Sequence, residues 1–183
     1  MSRCAVKLLI ASFAMLIANV APAASSAYLC ITDPGYRGES TATGFTGCSE
    51  LVDFGQTGFI DGSTPIARDI KLDKFYDTMS NPLRTAMVNQ TMLNEVKIRM
   101  TTTNGGAGPL EFFDLRLIGA HVDSAAMSWN SGGGVASPTD TIGFSAANIE
   151  VKYYPLTKTG ALGNPDSTCW NVAANTATNT TCP

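Results

Sequence analysis

The chain has 183 residues, of which 44% are hydrophobic, 8% aromatic and only 15% charged, with 12 Lys and Arg against 15 Asp and Glu for a formal charge of −3. That length bounds it to one ordinary domain or two small ones, and a net-acidic chain without a basic run lacks the electrostatic footprint of a nucleic-acid binder. High apolar content with small net charge argues against disorder, and a single His beside five Cys excludes any mechanism that needs several imidazoles.

At the N-terminus, Arg3 and Lys7 precede an uncharged apolar run over residues 8–16 that extends to Val20; Ala21, Pro22 and Ala23 then put small residues at the two positions a signal peptidase inspects. This is the three-part layout of a secretory signal peptide. Cleavage is expected after Ala23 or within the next four residues. The uninterrupted run is short of the ~20 apolar residues that span a bilayer, so no membrane association is expected after cleavage, and the product is expected in the periplasm or outside the cell. Removing residues 1–23 takes away Arg3, Lys7 and Cys4, leaving 160 residues, a net charge of −5 and the cysteines Cys30, Cys48, Cys169 and Cys182. An even count in an oxidising compartment reads as two disulfides, with three possible connectivities. Proximity in sequence favours Cys30–Cys48 and Cys169–Cys182. A metal site has little support, because no C-x-x-C pair exists and the one His is remote.

Most of the mature chain reads as strand. Residues 28–31 are short and apolar, and Asp33, Pro34 and Gly35 break them. Residues 51–60 interleave apolar residues with Gly and Gln, a strand bent at Gly55. Ile70, Leu72 and Phe75 form one face of a half-buried strand whose Lys71 and Lys74 point away. One helix is expected over residues 82–91, with Asn81 as N-cap and Pro82 at the first helical position. Its Leu83, Ala86, Met87 and Gln90 fall on one face.

Val96, Ile98 and Met100 then alternate with Lys97 and Arg99 up to the turn residues Asn104, Gly105 and Gly106. Over residues 110–122, Phe113, Leu115 and Leu117 alternate with Asp114 and Arg116, and the two strands should form a hairpin. Residues 124–129 are compatible with a further strand, followed by the loop glycines 132–134. Residues 142–155 carry Ile149, Val151 and Tyr153 against Glu150, Lys152 and Tyr154, a long strand with partners on both sides. Residues 156–183 are Thr-, Asn-, Ala-, Gly- and Pro-rich without periodicity, a tail that a Cys169–Cys182 clip would restrain.

No arrangement for chemistry stands out. His121 sits at the end of a strand; a triad of His121, Asp123 and Ser124 fails because successive strand residues face opposite ways. Glu39, Glu50, Asp53, Asp61, Asp114 and Glu150 are most simply solvated strand faces. The Gly-rich stretches at 104–108 and 131–134 lack the strand-to-helix context and terminal Lys of a phosphate loop. Asn89 and Asn179 head N-x-T sequons, and Tyr36, Tyr76, Trp129, Tyr153, Tyr154 and Trp170 are aromatic candidates for a binding face or a core.

The order of motifs resembles the haemolysin-coregulated protein (Hcp) family, the tube protein of type VI secretion. AYLCITDPGYRGES, with Gly38, Glu39 and Ser40, is similar to the family's first strand and the Gly-Glu-Ser after it. KFYDTMSNPLRTAM, with Phe75, Asp77, Ser80, Pro82 and Leu83, is similar to its strand-to-helix passage. NEVKIRM, FFDLRLIGAHVDSAAMSW and PTDTIGFSAANIEVKYYP match its closing hairpin and last strand, with Ile149, Val151, Tyr153 and Pro155 at the alternating apolar positions. The likeness covers residues 27–156.

The resemblance implies a mainly-β fold, an antiparallel β-barrel with one flanking helix over residues 24–155. It implies a ring-forming homo-oligomer, typically a hexamer, whose rings stack into a hollow tube, and a lumen that holds effector or cargo proteins as carrier or chaperone. It implies no cofactor and no catalytic residue. The export signal, the four mature cysteines and the tail over 156–183 lie outside the family pattern. The reading is therefore a secreted, non-enzymatic structural protein that forms rings and stacked tubes or filaments; the alternative is a secreted monomeric binding module, for a glycan or a surface protein, on the same fold.

Overall fold

The computed structural model describes residues 25–61, 64–103, 108–129, 138–158 and 160–182, with backbone alone for 57–61 and 64–69. In chain order the elements are β1 (Ser25–Ile31), β2 (Ser49–Asp61), β3 (Thr64–Phe75), α1 (Ser80–Asn89), β4 (Leu93–Thr103), β5 (Pro109–Ser128), β6 (Thr139–Tyr153), β7 (Asp166–Asn171) and β8 (Thr176–Thr178). Among the described residues every strand pairing is antiparallel. The order β3-β2-β1-β4-β5-β6 closes through β3–β6 pairs from Ile70↔Phe144 to Phe75↔Thr139, giving a six-stranded barrel with β7 and β8 appended.

Strand alternation explains what fills it. Val96 and Ile98 on β4 face Leu117 and Leu115 on β5, and with Leu29, Leu72, Ile142 and Ile149 they are buried in one core. The hairpin expected between β4 and β5 is present, and its turn at 104–107 lies outside the described residues. The separate strand expected over 124–129 is instead the far half of β5. A register shift between Val122 and Ser124 bends the strand without ending it. Pairing irregularities in β2 fall on either side of Gly55, between Leu51 and Asp53 and between Gln56 and Thr57.

The helix begins two residues earlier than its sequence signals imply. Its N-cap position is Met79, and no side chain caps it from there. The preceding turn is closed by Asp77 and Ser80: Ser80 N–H donates to the Asp77 carbonyl, Asp77 N–H to Ser80 Oγ, and Met79 N–H to Asp77 Oδ1. Asn81 is thereby free to accept from the Tyr76 hydroxyl at 2.8 Å. At the far end Gln90 turns left-handed at φ 51°, so it caps the helix rather than extending its apolar face. Leu83 and Ala86 are buried, with Met87 beside them, and the helix packs on β5.

Lys74 reverses its expected orientation. Strict alternation from Ile70 and Leu72 carries position 74 inward, so Lys74 is fully buried while Phe75 is 48% exposed. Its ammonium donates to the Phe75 carbonyl at 2.9 Å, Asp77 Oδ1 at 2.6 Å and Ser80 Oγ at 2.9 Å, which uses all three donors. Asp140 of β6 is 3.9 Å away, itself fully buried and paired to Arg84 of α1 at 2.6 Å. One buried ionic group thus joins β3, the turn, the helix and β6.

The tail also has more structure than its composition signals. Beyond the reach of β3, the β6 edge over Asn148–Tyr153 needs a hydrogen-bonding partner, and β7 supplies it from Asn148↔Asn171 to Tyr153↔Asp166. β8 then pairs with β7, and an isolated bridge joins Leu156 to Leu162 in the connection.

Candidate functional site

The outer surface of the barrel wall formed by β1, β4, β5 and β6 carries a connected set of ion pairs. The strand registers align Cys30, Lys97, Arg116, Glu150 and Cys169 in a single cross-strand row. Directly paired residues share a face, so three charged residues lie in line between two half-cystines. Arg116 holds Glu95 at 2.6 Å and Glu150 at 2.7 Å; Lys97 adds to Glu95 at 2.9 Å, and Lys152 stands 3.5 Å from Glu150. In the neighbouring row Asp114 pairs in register with Arg99 and Lys152, and Arg99 pairs ionically with Glu111.

The environment splits these carboxylates. Burial pushes Glu95 up, but hydrogen bonds from Lys97 and Arg116 outweigh it and hold the group below the ordinary carboxylate range. Burial, then the Glu111 charge, raises Asp114, and its Oδ1 has no hydrogen-bond partner. Burial lowers Arg116, but the Glu95 hydrogen bond and the Glu150 charge outweigh it, leaving a net rise.

The signs of the two carboxylate effects are opposite. A raised Asp114 penalises the fold above its unfolded pKa of about 4, and the penalty vanishes once the carboxyl is protonated. Asp114→Asn should therefore raise Tm at neutral pH and converge with the parent in acid. A lowered Glu95 stabilises above the ordinary glutamate value of about 4.5 and stops doing so as pH falls through its folded one. Glu95→Gln should lower Tm at neutral pH and likewise converge in acid; melting curves across pH check both.

Two disulfide-closed flaps cover the ends of the row. Residues 32–48 fold over β1, with Cys30 bonded to Cys48. Tyr28 stacks on Phe45 at 4.3 Å, forming a small second core, and Arg99 lies over the Phe45 ring. Gly38 N–H donates to the Gly47 carbonyl and Ser40 N–H to that of Cys48. Any Cβ at Gly38 would strike the Cys48 carbonyl at 2.5 Å, so the backbones need glycine there. Glu39 accepts from Thr78 N–H and Arg37 O from Thr78 Oγ1, so the Gly-Glu-Ser segment meets the turn before the helix. Residues 166–182 form the second flap, with Cys169 bonded to Cys182. Cys182 N–H donates to Glu150 Oε2 at 3.1 Å, and Glu150 is fully buried under it, not on the solvated face its alternation suggested.

The other candidates from sequence do not converge. His121 is half-buried opposite Ser145, while Asp123 accepts from Ser145 Oγ and Ser124 Oγ lies against Gly143. Among the described residues, no hydrogen bond joins His121 to Asp123 or Ser124. Asp53 accepts from the Phe54 N–H, and Glu50 stands exposed where β1 and β2 part, beside Ser25, Ser26 and Val52. The side chain of Asp61 and the Gly-rich stretches at 104–107 and 131–134 lie outside the described residues. Asn89 and Asn179 are exposed.

The aromatic residues are scattered: Tyr36 against the main core, Tyr76 under Arg84, Trp170 opposite Ile149 on β7, Trp129 and Tyr153 exposed, and Tyr154 half-buried. Among the described residues, no group of three or more His, Cys, Asp or Glu is placed to hold a metal ion. Sequence reasoning missed Lys74, Asp140 and Arg84; strict period-two counting through Ile70 and Leu72 could have found Lys74.

The likeness to known proteins runs along the barrel. A family model described as "Type VI secretion system effector, Hcp" matches residues 28–153. A solved structure described as a type six secretion system protein superposes with TM-score 0.74 at 20% identity, covering 85% of this chain and 100% of that one. Hcp1 from Salmonella typhimurium superposes with TM-score 0.69 at 19% identity, covering 85% and 99%. A secreted protein Hcp3 from Pseudomonas aeruginosa gives 0.60 at 15%, covering 79% and 97%. Among curated proteins nothing matches.

Proposed function

Since the chain belongs to the Hcp family of type VI secretion proteins, structural proteins rather than enzymes, we propose that it is an exported structural subunit that assembles into rings of six. The rings stack into tubes or filaments, and their lumen holds an effector or cargo protein. The observation that carries this reading is the family match across 28–153, which runs from β1 to the end of β6 and so spans the whole barrel. The barrel wall away from the flaps supports it too: Ser124, Ala126 and Ser128 on β5 and Thr139, Thr141, Gly143 and Ser145 on β6 present small side chains over which copies can approach closely.

Export rests on the charged, apolar and small-residue layout of residues 1–23 and on two disulfides, which persist in oxidising compartments. In this reading the mature chain starts after Ala23 or within the next four residues. Light scattering on the purified mature protein tests the assembly. A particle of six chain masses agrees with it; a monomer at high concentration, retaining a specific ligand, would make the chain a binding module instead.

A further inference from the structure

The β6 edge over residues 148–153 reads Asn-Ile-Glu-Val-Lys-Tyr. β5 pairs with its other edge, and β3 pairs with β6 only over Thr139–Phe144, so on this edge β7 is the backbone partner of the stretch. The order apolar, acid, apolar, base, apolar over 149–153 is complementary to itself. Laid antiparallel against the same edge of a second copy, with Val151 opposite Val151, it places each Glu150 opposite a Lys152 and each Ile149 opposite a Tyr153. Opposite charges directly across an antiparallel pair are favourable, and like charges are not.

The cover over this edge is held by its own crosslink. Both cysteines of the Cys169–Cys182 bond lie within the flap, so the bond shapes the flap without tying it to the barrel. Within β7 only Cys169 is buried, and all of β8 is exposed. The flap's hold on Glu150 is the Cys182 N–H. Where the chain leaves the edge, Tyr153, Leu156 and Leu162 are 46%, 47% and 36% exposed, an apolar margin continuous with the strand.

We propose that residues 148–153 of β6 are a self-complementary docking edge for a second copy of this chain, masked by the flap over 166–182 and opened by reduction of Cys169–Cys182. A dithiol reductant delivers two electrons and two protons to the two sulfurs, leaving two thiols and itself becoming a disulfide. Cys182 then releases Glu150, β7 loses the crosslink that braces it, its pairs with Asn148–Tyr153 open, and the edge takes the edge of the second copy. Association between copies is thereby set by the redox state of the compartment.

The test uses the full mature chain with Cys169→Ser and Cys182→Ser, which opens this flap and leaves Cys30–Cys48 intact. Light scattering should show the predominant species at least doubling in mass relative to the oxidised parent, a doubling if the parent is a monomer and more if each ring offers several edges, so the result is separate from ring formation. In that background Lys152→Glu, which sets Glu against Glu150 on both sides, should restore the parent mass, and Lys152→Arg should keep the raised one. An unchanged mass, or an association indifferent to Lys152→Glu, overturns the proposal. Hydrogen exchange of β4 and β5 amides reports whether the barrel is intact. If the serine variant unfolds, the same masses are read on the parent during dithiol titration, with alkylated peptides reporting which bond has opened.

Discussion

Lys74→Met is expected to destabilise the protein by about 3–5 kcal/mol, the usual cost of removing one partner from a buried ion pair. The side chain is fully buried and its three donors serve Phe75 O, Asp77 and Ser80. Met fills much of the same volume, so the loss comes from the charges left behind. Asp77 keeps the Ser49 hydroxyl and the Met79 N–H, and Asp140 keeps Arg84, but neither retains the ammonium. The turn that starts the helix should loosen with it, because Ser80 Oγ is shared between Lys74 and the Asp77 N–H. Urea denaturation checks this through a lower midpoint with an unchanged slope. A midpoint equal to the parent's would mean that the cluster contributes little.

Cys30→Ser with Cys48→Ser is expected to cost about 2–4 kcal/mol. The bond closes a separation of 18 residues, and its loss frees the flap in the unfolded ensemble. In the folded state the same flap carries Phe45 onto Tyr28 and Arg99, so that small second core depends on it. The barrel should survive, since none of its strand pairings passes through the flap. Chemical denaturation should give the loss in stability. Near-ultraviolet circular dichroism should lose the Tyr28 contribution while the far-ultraviolet strand signal remains.

How much of the fold was legible in the sequence depended on whether a residue's environment was local. Alternation through Val96, Ile98, Leu115 and Leu117 displayed the β4–β5 hairpin, since both faces of each strand obey the simple apolar-in, charged-out pattern. Lys74 broke that pattern. Period-two counting from Ile70 and Leu72 carries it inward and Asp77, three positions on, takes its charge, but the burial is completed beside Asp140, sixty-six positions away, which no local window reveals. Glu150 was misread for the same reason: the flap that buries it comes from residues 166–182, whose Thr- and Asn-rich composition resembles a loop. Strand β7 exists because the β6 edge requires a partner, a demand visible only once the barrel has closed. Asn81 and Pro82 signalled the helix correctly and its start two residues late, because Asp77 and Ser80 had already closed the turn.

Of the outer row, Lys97 and Arg116 were legible as the charged face of their strands. Their alignment between Cys30 and Cys169 required the register of five strands. The family likeness drew on motifs that the fold brings together: Glu39 of the first meets Thr78 of the second, thirty-nine positions on.

Electron microscopy of the purified, oxidised mature protein in negative stain tests assembly most directly. Ring-shaped particles with six-fold symmetry, some stacked end to end, are the predicted result. Fields of single barrels at concentrations where light scattering also finds only monomer would contradict the account.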